Sequence, residues 1–155
     1  MYKYIIILFA VVFLTANPVK LVADDERIDN RASIIDNYYT EHNMLLKGYG
    51  KKLVEVADKN GLDWRLLPAI SIRETSGGNH QCRLNNSFGW GSCKIQFKTT
   101  DESIEVIGYK LANLSVYKGA STEHKLYHYN GTVVKTYPQE VIKIMNQISN
   151  TIKPL

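Results

Sequence analysis

Hydrophobic positions recur at helical spacing along most of this chain, and two stretches break that pattern. Residues 5–16 (IIILFAVVFLTA) carry no charge and are almost entirely apolar, with Lys3 before them and Pro18 and Lys20 after. Beyond them, residues 27–41 place Ile28, Ile34, Ile35, Tyr38 and Tyr39 at helical intervals, which predicts a helix. Gly48 and Gly50 interrupt. Residues 51–60 carry Leu53, Val54 and Ala57 on one face, and Asn60-Gly61 is a natural stop. Asp63 is placed to cap the next helix, whose Pro68 belongs in a first turn or at a kink because it has no N–H to donate. Ala69 to Glu74 then reads as regular helix, ended by Thr75-Ser76-Gly77-Gly78. Residues 79–100 have no period, and their glycines, asparagines and both cysteines predict a long ordered loop or a short hairpin. Three more helices follow at 101–114 (capped by Thr100 or Asp101), 122–129 and 139–152. The expectation is a compact, mainly-α domain of about six helices with one loop-rich insertion.

Twelve apolar residues are too few to span a bilayer, which takes about 20. With a basic start and a proline break they have the form of a secretory signal, with cleavage after Ala16 or, as favoured by the acidic Asp24-Asp25-Glu26 that follows, after Ala23. The other reading is an uncleaved anchor, the one case in which this chain would meet a membrane. The expected organisation is therefore a signal or anchor at 1–23, a helical extension at 24–47 and one main domain at 48–155.

Composition changes this picture little. The 155 residues are 45% apolar and 22% charged, which excludes intrinsic disorder, and a single long apolar run excludes a multi-span membrane protein. The net charge of +4 owes half its value to Lys3 and Lys20, so removal of residues 1–23 leaves +2. No basic run is present, which argues against nucleic acid as a partner. Export matters more for Cys82 and Cys93, which in an oxidising compartment are expected to pair. A metal site built from His80, Cys82, Cys93 and either His124 or His128 lacks a recognised zinc spacing, so no metal or other cofactor is expected. His124 and His128 alone, four apart on a short helix, could share an ion or simply sit at a surface.

Candidate chemistry centres on Glu74. Leu66, Ile70 and Glu74 are spaced by four and form one helical stripe, with Leu67 and Ser71 beside it. The glutamate thus ends an apolar face at a helix C-terminus. Apolar neighbours and the negative helix end both disfavour a charged carboxylate. A carboxylic acid that keeps its proton suits glycosidic cleavage, where the leaving oxygen must be protonated. The alternative is a solvated glutamate paired with Arg73 or Arg65.

The stretch WRLLPAISIRETSGG followed by NNSFGWG resembles the lysozyme-like superfamily, in its lytic transglycosylase and bacterial endo-β-N-acetylglucosaminidase branch. Glu74 stands where that branch carries its catalytic glutamate, although the serine usual after it is Thr75 here, with Ser76 one position later. Asn86 to Gly91 is similar to the family's glycine-containing turn. His128-Tyr129-Asn130 is similar to its "A-Y-N" block, with histidine in place of alanine, and Tyr137 fits a tyrosine before the last helix. These blocks cover about residues 48–150. The resemblance implies an exported, monomeric enzyme acting on peptidoglycan glycan strands, with Glu74 as general acid and then base. It further implies that Ser76, Phe88, Trp90, Tyr129, Asn130 and Tyr137 bind substrate. Asp101, Glu102 and Glu105 read as a solvated face. Without a second acid the mechanism leans toward transglycosylation by the sugar's own 6-hydroxyl, while hydrolysis stays open. A silent glycan-binding or envelope-scaffold module on the same fold is the competing expectation.

Overall fold

The computed structural model describes the backbone of residues 18–151 and the side chains of residues 30–151. The apolar run at 5–16 lies outside the described residues. Six helices and no strands occur among the described residues: α1 (Pro18–Glu41), α2 (Gly50–Lys59), α3 (Leu66–Thr75), α4 (Thr100–Asn113), α5 (Thr122–Tyr129) and α6 (Tyr137–Asn150). No helix among them is long and apolar enough to cross a membrane.

The centre of the domain is α3. Its residues Leu66 to Ser71 are all buried, as expected of a stretch that carries no charge and is apolar from 66 to 70. It packs on α6, α2 and α4, and α1 lies against α2. The core joins Ile35 and Tyr39 of α1 to Leu53 and Val54 of α2, Leu67 and Ile70 of α3, Ile104 and Ile107 of α4, Leu126 of α5 and Val141 and Ile148 of α6. Each such side chain contributes about 1.5–3 kcal/mol on burial. Helix α1 is therefore part of this core, and its Tyr39 hydroxyl meets Ser71 Oγ at 2.9 Å inside it. It begins at Pro18 rather than at 27, and so runs across the expected cleavage point.

Local chemistry sets the boundaries. Asp36 of α1 accepts from the N–H groups of Gly48 (2.8 Å) and Gly50 (2.9 Å), which pins the entry to α2. A Cβ on Gly50 would come within 2.3 Å of the Ala32 carbonyl oxygen, so the α1–α2 approach requires glycine there. Asp63 does not cap α3 itself. Its carboxylate accepts the Arg65 N–H (2.9 Å) and closes the turn that leads in, and Arg65 is the N-cap. Pro68 falls in the first helical turn, where no backbone donor is missed. For α4 the cap is Thr99, one residue before the expected pair. Its hydroxyl accepts the Glu102 N–H (3.1 Å) while Glu102 Oε2 accepts from Lys98 N–H (2.6 Å), a capping-box arrangement displaced by one residue. Helix α5 matches its expected limits. Helix α6 starts two residues before the expected Gln139, because Pro138 is accommodated in its first turn. That shift carries Tyr137 from a loop onto a helix.

Residues 79–99 form an irregular, ordered loop, not a hairpin. Cys82 and Cys93 are bonded, with their Cα atoms 5.7 Å apart. With both sulfurs used in this way, they are not available as ligands for a metal.

Candidate active site

Helix α3 ends in Thr75, and Ser76 adopts a left-handed conformation (φ 53°) that turns the chain away. Glu74, in the last turn, is half-buried on the wall of a cleft of about 670 Å³. Three elements converge there: the end of α3, the loop through Gly89–Ser92, and the α5–α6 connection with the start of α6.

Tyr137 donates its hydroxyl hydrogen to Glu74 Oε1 at 2.7 Å. Burial, the charge of Glu74 and that hydrogen bond push the tyrosine far above its ordinary ionisation range, against the opposing charge of Arg73. It therefore stays a donor at any working pH. The other carboxylate oxygen faces Gly89, where a Cβ would lie 2.5 Å from Oε2. Glycine at 89 is thus required twice, by its φ of 62° and by the glutamate against it. Neither arginine neutralises Glu74. Arg73 is paired with Glu140 (2.6 Å) and lies over the Tyr137 ring at 5.6 Å, and Arg65 is paired with Asp63 (2.6 Å).

Aromatic faces make the wall beside the glutamate. Tyr129 stacks against Tyr137 (ring centroids 6.3 Å, planes 11° apart), and Trp90 tilts onto Tyr129 at 5.6 Å. Lys110 of α4 sits behind Trp90, 5.7 Å from its ring. The loop that presents Trp90 is held by side chains. Asn86, fully buried, accepts the Trp90 N–H (3.0 Å) and donates to the carbonyls of Trp90 and Ile95 (2.9 Å each). Asn85 donates to the carbonyls of Phe97 and Lys98 (3.0 Å each).

Thr75 ties the loop to α3. Its hydroxyl lies 2.7 Å from the Ser87 carbonyl and 3.0 Å from that of Ser71, and accepts the Gly78 N–H at 3.0 Å. Tyr129 ties the loop to α5 through a hydrogen bond to the Phe88 carbonyl (2.7 Å). Burial, with Glu74 and Tyr117 nearby, raises the Tyr129 hydroxyl well above its usual range, so it too remains a donor.

The expected site residues divide accordingly. Glu74, Trp90, Tyr129, Asn130 and Tyr137 all line the cleft. Phe88 does not: its ring is fully buried in the core, because the left-handed Gly89 turns the chain so that Trp90 alone reaches the groove. Ser76 does not line the cleft either; it caps α3, and the buried hydroxyl beside the glutamate belongs to Thr75. Asn130 borders the cleft, but its amide exchanges hydrogen bonds with the backbone of Val134 and so shapes the α5–α6 connection.

Sequence reasoning missed Gly89, Arg73 and Glu140 as parts of the site. The FGWG run was the signal for the first, and nothing in the sequence marked the Arg73–Glu140 pair. Other acids lie elsewhere. Glu105 is paired with Lys52 and Lys59, Glu102 caps α4, and Asp101 is exposed in its first turn. Glu74 is the only carboxylate among the described residues lining the cleft. Comparison with protein-family models, with curated proteins and with solved structures gives no match for this chain.

Proposed function

We propose that this protein is an exported lysozyme-like enzyme that cleaves the glycan strand of peptidoglycan, with Glu74 as general acid and then general base. The observation that carries this reading is the single cleft carboxylate, held by Tyr137 and flanked by aromatic rings. Such rings suit the apolar faces of pyranose sugars. The disulfide suits an oxidising compartment.

The lone carboxylate favours transglycosylation. Glu74 gives its proton to the glycosidic oxygen as the bond to C1 breaks. The resulting carboxylate then takes the proton of the sugar's own 6-hydroxyl as O6 bonds C1, which leaves a 1,6-anhydro end and restores the acid. Hydrolysis through two acids would need a second carboxylate across the bond. The test is release of soluble muropeptides from purified sacculi, followed by mass spectrometry. Wild type is expected to release products with anhydro ends, and Glu74→Gln to release none. Equal release by the two proteins overturns the role of Glu74, and reducing ends replace transglycosylation by hydrolysis. The engagement of the Tyr129 hydroxyl and the Asn130 amide with backbone favours a second reading, a glycan-binding module without turnover. Retention on sacculi with no release by wild type would establish it.

A further inference from the structure

Two histidines of α5, one of them bordering the cleft, remain unused by this chemistry. His124 and His128 lie four residues apart on α5, hence on one face of a helix that fixes both Cβ positions. Their ring centroids are 4.5 Å apart. A transition metal bonds an imidazole nitrogen at about 2.0–2.1 Å, which places it about 3.2 Å from the ring centroid. Two such rings have centroids about 4.5 Å apart at the right angle of an octahedral or square-planar ion, and about 5.2 Å apart at a tetrahedral one. The observed spacing, with the ring planes 58° apart, is that of the right-angle pair. Neither imidazole forms a hydrogen bond with the described residues, in contrast to His42, whose Nδ1 is 2.8 Å from the Tyr38 carbonyl oxygen. His124 is exposed, and His128 borders the cleft beside Tyr129.

We propose that His124 and His128 form a two-histidine site for a divalent transition metal of the zinc, nickel and copper class. Imidazole nitrogens select these ions over magnesium and calcium, which prefer oxygen. Water completes the coordination. The ion adds charge and a hydration shell where His128 meets the cleft, so its binding slows substrate entry. This second consequence, unlike the binding itself, rests on the proposed glycan site.

The experiment is calorimetric titration of the full chain with ZnCl2, and with MgCl2 as reference, on wild type, His124→Ala and His128→Gln. Wild type is expected to bind Zn2+ and not Mg2+. Each variant, checked for an unchanged melting temperature, is expected to bind Zn2+ at least about tenfold more weakly, since one of two ligands is gone. Zn2+ affinity unchanged in both variants, no Zn2+ binding by wild type, or equal Mg2+ binding overturns the site. A separate release assay on sacculi tests the consequence. Zn2+ is expected to slow wild type and to spare His124→Ala, whose side chain lies outside the cleft. Binding without slowing overturns the occlusion and leaves the site standing. No release by metal-free wild type overturns the cleavage reading and leaves the metal site untouched.

Discussion

Gly89 offers the sharpest separation of site geometry from fold stability. Alanine there meets two costs. The first is backbone strain at φ 62°, roughly 1–2 kcal/mol for an L-residue in the left-handed region. Gly61 supplies the same strain alone: its φ is 61°, and a Cβ there has nothing within 4 Å. The second cost exists only at Gly89, where the new Cβ would stand 2.5 Å from Glu74 Oε2 and 3.3 Å from its Cδ. Non-bonded heavy atoms settle near 3.5 Å, so the carboxylate must retreat by about 1 Å. That motion works against the 2.7 Å hydrogen bond from Tyr137. A displacement of about 1 Å at a reacting group costs on the order of 100-fold in rate. The expected outcome by thermal melting is that Gly61→Ala loses about 1–2 kcal/mol and that Gly89→Ala loses at least as much. Only Gly89→Ala should lose roughly 100-fold in muropeptide release. Near-wild-type release by Gly89→Ala, or an equal loss in Gly61→Ala, would refute the assignment of Glu74 as the reacting group.

Three further outcomes follow from the same geometry. Tyr137→Phe deletes a hydrogen bond to a carboxylate, worth about 1.5–3 kcal/mol, so release should fall roughly 10- to 100-fold in kcat with the KM for soluble glycan fragments little changed. A rise in KM alone would assign Tyr137 to substrate binding. Replacing Cys82 and Cys93 by serine opens a loop of separation 11, and loop-closure entropy puts the loss near 3 kcal/mol, about 10 °C in melting temperature. An unchanged melting temperature would mean that Asn85, Asn86 and Thr75 hold the loop unaided.

Asp63 supplies a pH dependence. Burial works to raise it, but the hydrogen bonds and charge of Arg65 outweigh burial and hold it below its ordinary 3.8. Its contribution is present above that value and is lost as pH falls through the lower folded one. The melting-temperature gap between wild type and Asp63→Asn should accordingly be widest near pH 6 and shrink at pH 2.5. A gap that widens on acidification contradicts the assignment.

What the sequence made legible was what apolar periodicity and residue chemistry dictate. The stripe of Leu53, Val54 and Ala57 and the apolar run Leu66–Ile70 could only be buried, and burial fixed α2 and α3. Glu74 stood out because a carboxylate ends an apolar stripe. Three of the misplacements share one cause, which is competition between chemically equivalent neighbours. Thr99 and Thr100 can each cap a helix, and the choice fell to the one that lets Glu102 reach back to Lys98. Phe88 and Trp90 can each face a sugar, and the left-handed Gly89 between them assigns one to the core and one to the cleft. Ser76 and Thr75 can each support the glutamate, and the helix end buries the threonine. The loop had no period to read because its order comes from individual side chains bonding to backbone. For the same reason the polar groups that looked most like sugar ligands, the Tyr129 hydroxyl and the Asn130 amide, hold the cleft walls in place. On the proposed reading, recognition falls to the rings of Trp90 and Tyr129 and the proton chemistry to Glu74, while the Tyr137 ring is buried between Tyr129 and Arg73. A sugar site built this way would tolerate variation in the sugar's polar substituents more readily than loss of the Trp90 or Tyr129 ring, because few of its own donors and acceptors remain to discriminate among them.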